Sequence, residues 1–165
     1  MSSEHYDRNW LTKRDIYRKP EELYLTRYVI FRCKWFGMYV HKFWISDYDV
    51  PHDHPFNFIS IPLTVGYREH LADGTSIWRR IFSPKFRTAE EFHWVELKNG
   101  PAWTFFMHFR KRREWGFLTA DGWVDNDTYT AMLEESAKGE KDEVLSIRRN
   151  GIQKRPGQGM ARVAN

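Results

Sequence analysis

The run Pro51-His52-Asp53-His54-Pro55, with His93 in Phe92-His93-Trp94-Val95, is the part of this chain equipped for metal chemistry. Alternate side chains of an extended segment point the same way, so His52 and His54 can direct two imidazoles into one pocket. His93 comes from a distant stretch that also reads as a strand. Imidazoles suit zinc, iron, nickel and copper, at metal–nitrogen distances of roughly 2.1 Å. Pro51 and Pro55 restrict the backbone on either side of the pair. An isolated H-x-H often arises in a solvated loop, with Asp53 pairing one of the rings; the third histidine is what makes the constellation specific.

The elements that must carry these histidines read as strands. Leu25–Phe31 and Met38–Ile45 are rich in β-branched and aromatic residues, with Gly37 between them. Phe56–Tyr67 follows as one strand, then Ser76–Phe82 across an Asp73-Gly74 hairpin. Phe92–Leu97, a turn at Asn99-Gly100-Pro101, Ala102–Phe109, Trp115–Leu118 and Trp123-Val124 complete the pattern. Short strands at regular intervals, with turn signals between them, predict an all-β sandwich or barrel. Three regions are expected: a polar N-terminal segment over 1–22 with a short helix near Leu11–Tyr17, a β domain over 23–125, and a segment over 126–165. In the last, Asp127–Lys138 is a helix with a polar cap before it and Gly139 after it, Glu140–Arg149 a second helix, and the remainder a flexible basic tail.

Composition bounds the function classes. Aromatic residues make up 17% of the 165 residues, so the β region must enclose a core or a lined cavity. The single Cys33 excludes an internal disulfide and a thiolate zinc cluster, and it fits a reducing compartment. No run approaches the ~20 apolar residues of a membrane span, and the first residues lack a secretory pattern. A cytoplasmic protein without a membrane partner is the expectation. The formal charge of +4 favours acidic partners only mildly.

The residues from Pro51 through Phe58-Ile59-Ser60 and Leu63 to Gly66-Tyr67-Arg68-Glu69 resemble the first motif of the cupin superfamily. Arg87-Thr88-Ala89-Glu90-Glu91-Phe92-His93-Trp94-Val95-Glu96-Leu97 resembles the second, although its usual Pro-x-Gly lead is absent. Gly100–Thr104 and Arg112–Phe117 are similar to the ends of small bacterial and phage cupins. The resemblance covers roughly Arg27 to Trp123. It implies a jelly-roll (double-stranded β-helix) barrel holding one divalent transition metal (Fe, Zn, Ni or Mn), with His52, His54 and His93 as ligands. Cupins usually add a glutamate; aligned on Gly66, that position is Ile59, which cannot coordinate. Glu69 is the first substitute, sharing parity with Ile59, while Asn57 is a weaker, neutral one and Asp53 would have to turn inward.

Other residues have plainer readings beside the functional ones. His41 shares a face with Tyr39, Phe43 and Ile45 and is a candidate for lining the substrate cavity, although a satisfied structural histidine is commoner; His108 is similar, and His70 reads as turn surface. One of Arg79 and Arg80 points inward by alternation, where an arginine can clamp a carboxylate or phosphate; two solvated edge arginines are the plain reading. Glu69 beside Arg68 reads as half of an exposed ion pair. Arg110-Lys111-Arg112-Arg113 followed by Trp115 and Phe117 suits nucleic acid, although four basic residues in a turn are more often a wetted surface.

The expected function is a metal-dependent enzyme acting on a small polar substrate, dioxygenase-like by analogy. Glu69 and Tyr67 would move protons, and His41 and Arg79 would bind substrate. Its rivals are a non-enzymatic small-ligand module and a phage-type assembly protein that docks nucleic acid through the basic tail. The resemblance further implies a homodimer.

Overall fold

The computed structural model describes residues 11–138, and the second C-terminal helix and the basic tail expected from the sequence lie outside them. Eleven strands follow in order: β1 (Thr12–Lys19), β2 (Glu22–Arg32), β3 (Gly37–Phe43), β4 (Phe58–Pro62), β5 (Tyr67–Leu71), β6 (Ser76–Arg79), β7 (Lys85–Arg87), β8 (His93–Glu96), β9 (Ala102–His108), β10 (Gly116–Thr119) and β11 (Gly122–Asp125). Residues 126–138 form a helix. None of the described helices is long and apolar enough to cross a membrane.

All strand pairs are antiparallel, and the fold is all-β. One sheet has the order β1-β2-β3-β9-β4-β7 and a second the order β6-β5-β8, with β10-β11 as a hairpin. Single bridges from His52 to His93 and from His52 to Phe117 make that histidine a one-residue strand between β8 and β10. The second layer therefore runs β6-β5-β8-His52-β10-β11, and the residue that closes it is a candidate ligand.

The interior between the layers is unusually polar. Leu25, Val29, Tyr39, Phe58, Tyr67, Val95, Ala102 and Phe117 are buried, but so are His41, Ser60, Glu69, Arg79, Arg87, His93 and Thr104. Buried charges survive only when paired or hydrogen-bonded, so this interior has to be read as a network.

Three elements differ from the sequence expectation. Thr12–Lys19 is a strand rather than the expected helix at Leu11–Tyr17. Its charged side chains (Lys13, Arg14, Asp15, Arg18) are mostly exposed, as suits an edge strand, and pairing with β2 overrides weak local preference. The stretch Phe56–Tyr67 is two strands in different layers, because Pro62 ends β4 and the chain crosses over before β5. Gly66 permits that crossing: a Cβ there would meet the Arg79 carbonyl oxygen at 2.5 Å. Finally, Ser76–Phe82 stops at Arg79, and the three-residue β7 follows where no strand was expected. The Asp73-Gly74 hairpin is present, with Thr75 donating its backbone N–H to Asp73 Oδ1 at 2.9 Å.

Candidate metal centre

The three histidines are gathered by backbone pairing before any side chain is considered. His52 donates its N–H to the His93 carbonyl at 2.9 Å, and His93 donates back to His52 at 3.0 Å. Asp53 N–H reaches the Gly116 carbonyl at 3.0 Å and His54 N–H the Ala89 carbonyl at 3.2 Å. The Pro-flanked segment is thus stitched to three other parts of the chain, and its extended form sends His52 and His54 to the same side.

Ligand atoms of His52, His54 and His93 all lie within 4.8 Å of one another. His54 Nε2 and His93 Nε2 are 2.9 Å apart. Two bonds of ~2.1 Å to one ion, at angles between octahedral and tetrahedral, set nitrogens roughly 3.0–3.4 Å apart, so these rings need only a small adjustment to share a cation. His93 donates Nδ1–H to Glu69 Oε1 at 2.7 Å. That bond fixes the tautomer and leaves the Nε2 lone pair directed at the cluster, the usual outer partner of a metal-binding histidine. The donor set fits a divalent transition metal.

Glu69 is not a fourth ligand. It is 2% exposed, behind His93, and it accepts from Arg87 Nε at 2.8 Å while Arg87 Nη2 stands 2.8 Å from its other oxygen. The expected surface pair with Arg68 is absent, for Arg68 bonds Ser76. Burial would raise the Glu69 carboxyl, but hydrogen bonds from His93 and Arg87 outweigh it and hold the group at about 2. The position of Ile59 is also corrected. Phe58, not Ile59, is the β4 residue that faces the histidines, with ring centroids 4.4 Å from His54 and 5.8 Å from His93. A phenyl ring, which cannot coordinate, is what β4 presents to the histidines. Among the described residues, the cluster of ligating groups consists of these three histidines.

The remaining candidates fall in various places. Asp53 turns away from the centre: it is fully buried and accepts from Gly116 N–H at 2.7 Å and Trp123 Nε1 at 3.1 Å, with Arg113 at 3.0 Å. Asn57 Oδ1 accepts from Ala89 N–H at 2.9 Å, which removes it as a ligand. Tyr67 lies in the core with Val95 and Ala102; burial, then the nearby Glu69, push its phenol up to about 12. Arg79 is the inward arginine, yet Nη2 donates to the Ser83 carbonyl at 2.9 Å and Nε lies 3.7 Å from Glu69 Oε2. His41 is buried on the first sheet, one ring (Phe106) removed from His54: the centroids are 5.0 Å from His41 to Phe106 and 6.4 Å from Phe106 to His54. His108 bonds Tyr39 Oη through Nε2 at 3.0 Å, and His70 stacks on Trp94 at 3.8 Å rather than lying loose in a turn. In the basic run, Arg110 lies over Trp35, Lys111 pairs with Glu114, Arg112 bonds Asn57 and Arg113 pairs with Asp53.

Arg87 is the residue that sequence reasoning missed. It is 4% exposed and bridges Glu69 to Glu91. Its signal was too short to read, since β7 has only three residues.

Burial sets the protonation of the ligands. It lowers His52 to about 4, partly offset by Asp47 and reinforced by His93, and it drives His54 well below its ordinary value. Both rings are therefore neutral, and able to ligate, at neutral pH. For the metal-free protein the sign follows directly. Above pH ~6.5 neither folded nor unfolded chain holds these protons; below it the unfolded chain takes protons that the fold refuses. Stability should fall between pH 6.5 and about 4, with His52 contributing up to ~3 kcal/mol. Urea unfolding at stepped pH checks this, and a slope in that window unchanged by His52→Gln would contradict it.

No protein-family model matches the chain, and no curated protein matches it in sequence. Solved structures match it in shape. The Fe(II) form of HppE aligns with a TM-score of 0.52 at 11% identity, over 65% of this chain and 62% of that one. HutD from Pseudomonas fluorescens SBW25 gives 0.51 at 8% identity, over 61% and 56%. The DMSP lyase DddQ from Ruegeria pomeroyi DSS-3 gives 0.50 at 14%, over 60% and 56%. The matched part is less than two thirds of the length of each of these proteins. At such identities the likeness concerns architecture alone: the antiparallel strands of this chain have a cupin-like fold.

Proposed function

We propose that the protein is a metal-dependent enzyme acting on a small polar substrate, with oxygenase-like chemistry as the leading form. The observation that carries this reading is the convergence of three imidazoles, one fixed by a buried carboxylate, in the polar interior of a cupin fold. A bound divalent ion would supply Lewis acidity toward a polar group of the substrate. The chain's own residues do the rest. Glu69 and Arg87 hold the orientation of His93, so Glu69 positions rather than transfers protons. Phe58 and Phe106 pack against the histidines and exclude water from that side. Tyr67, with its phenol at about 12, stays neutral and can donate a hydrogen bond but not act as a base near neutral pH. Iron is the first metal to try, since the Fe(II) form of HppE shares the architecture.

One observation favours a rival. Because Phe58 faces the histidines and cannot coordinate, a module that binds a small ligand around a structural metal fits the same geometry. The proposal extends to a cytoplasmic homodimer; the exposed Ile77, Phe82 and Phe86 along β6, β7 and the loop between them support a paired surface, and the free Cys33 suits a reducing compartment.

Metal analysis of the purified protein tests the reading. About one divalent ion per chain is expected, retained on desalting and lost in His52→Ala, His54→Ala and His93→Ala variants that keep the wild-type circular dichroism. A wild-type protein that neither carries nor takes up Fe(II), Zn(II), Ni(II) or Mn(II) would overturn it. Stoichiometric metal without oxygen consumption or turnover across small polar acids and alcohols would move the assignment to the binding module.

A further inference from the structure

The interior holds a second group of polar side chains, on the first sheet beside the histidine cluster. Arg27 on β2, His41 on β3 and Thr104 on β9 are register neighbours, so their side chains stand in a row on one face. Arg27 donates Nε–H to His41 Nε2 at 3.0 Å, and its guanidinium lies over the Tyr39 ring at 5.1 Å. Because His41 Nε2 accepts that bond, its Nδ1 carries the proton in the neutral ring. Burial, then the charge of Arg27, keep His41 neutral. Thr104 is 2% exposed, and its hydroxyl has no hydrogen-bond partner among the described residues.

What distinguishes this row is its balance of donors and acceptors. Arg87 and Arg79 have Glu69 between them, whereas Arg27 makes no ion pair among the described residues. Its Nε is engaged by His41, and neither Nη nitrogen bonds a protein acceptor there. The other charges near it are those of Arg14 and Arg32, which add to its own. A sunken guanidinium fork without a carboxylate, next to an imidazole N–H and a buried hydroxyl, offers several donors and nothing negative to receive them. Proteins do not ordinarily leave a partly desolvated cation uncompensated, and a guanidinium fork matches a planar or tetrahedral oxyanion in bidentate fashion.

We propose that Arg27, with His41 and Thr104, forms a subsite for the oxyanionic end of a small molecule, a carboxylate or a phosphate-type group. Resting on the metal-enzyme reading, this makes the substrate an anion whose charged end is held on the first sheet while its other end reaches past Phe106 toward His54. It also moves the anion-binding role expected of Arg79 to Arg27, because Arg79 is taken by Glu69 and Ser83.

The test is thermal unfolding of the full chain, metal-loaded and metal-free, titrated with sodium phosphate or sodium acetate at ionic strength held constant with sodium chloride. Wild type should show a saturable rise in Tm of several degrees with at least one anion, and the more effective anion identifies the chemistry of the charged end. Arg27→Gln should abolish the rise without changing metal content, Arg27→Lys should retain a small part of it, and Thr104→Val should weaken it several-fold. If Arg27→Gln fails to fold, the lysine and valine variants decide. Absence of any saturable response in wild type, or an undiminished one in the Arg27 and Thr104 variants, would overturn the subsite. An anion response in a protein that takes up no metal leaves the subsite standing and removes the metal reading; metal uptake without an anion response does the reverse.

Discussion

Replacing Glu69 by alanine should destabilise the protein by about 3–5 kcal/mol and weaken metal binding along with it. The carboxylate is 2% exposed and stands among Arg87, Arg79 and the Nδ1 of His93. Removing one member of a buried ion network strands the charges that remain, and such losses run to about 3–5 kcal/mol. Arg87 would keep only Glu91, and Arg79 only the Ser83 carbonyl. Glutamine is the informative companion. It keeps an acceptor for His93 Nδ1 and most of the shape, so its cost should be smaller, while loss of an outer carboxylate typically lowers metal affinity by roughly 10–100-fold. The pH behaviour separates the two effects. A carboxyl held at about 2 contributes stability that is complete above its unfolded value near 4.5 and is lost as pH falls toward 2. Glu69→Gln should erase that acid limb and leave the histidine limb, between pH 6.5 and 4, in place. Urea unfolding of metal-free protein reads the stability, and chelator competition reads the affinity. An alanine variant within 1 kcal/mol of wild type would show that water reaches the two guanidinium groups, and the role given to Glu69 would fail.

The same residue shows where sequence reading succeeds and where it stops. Alternation along β5 puts Tyr67 and Glu69 on one face, and both are buried. What alternation cannot supply is the partner across the layers. Glu69 reads locally as the partner of its neighbour Arg68, yet its ion pair is with Arg87, eighteen residues away on a three-residue strand. A strand that short has no period to detect, and an inward acid need not face the metal: Glu69 lies behind His93. The histidines were legible for the opposite reason. Two of them are alternate residues in an extended segment bounded by prolines, and the third starts a strand with clear alternation, so local geometry decides most of their direction.

Fold class was legible because β-branched and aromatic runs with turn residues between them mark strands without any knowledge of pairing. Boundaries that depend on layer crossing were not. Phe56–Tyr67 reads as one apolar run, and only the strand pairing reveals that it belongs to two layers, with Gly66 close against the Arg79 carbonyl where it crosses. That break also displaced the Ile59 alignment by one residue: with β4 alternating on its own, Phe58, Ser60 and Pro62 face inward. Likewise β1 carries charged side chains suited to solvent and gains its strand form from β2, a partner that a local reading cannot weigh.

Asp53→Ala should lower both stability and metal affinity although the side chain touches neither histidine ring. Asp53 lies between the two ligands in sequence and points the other way, fully buried, accepting from Gly116 N–H and Trp123 Nε1 and facing Arg113. Arg113 is about one-third exposed and can turn to water, but the Gly116 amide cannot. A buried donor left without its acceptor costs roughly 1–3 kcal/mol, so a loss of about 1–3 kcal/mol is expected from the Gly116 amide, the Trp123 indole being exposed enough to find water. The hairpin has no slack to absorb the change, because a Cβ at Gly116 would already collide with the Val124 carbonyl. Asp53 is therefore the latch that fixes the backbone on which His52 and His54 diverge toward the centre. Loosening it should cost metal affinity at least about tenfold, as for other groups that orient ligands without binding the ion. Asp53→Asn keeps an acceptor for the Gly116 amide and should fall between wild type and alanine on both scales. Chelator competition well below the melting temperature separates positioning from mere instability. If the alanine variant is less stable there but binds metal as tightly as wild type, Asp53 holds the hairpin alone and the ligand geometry is set by the prolines.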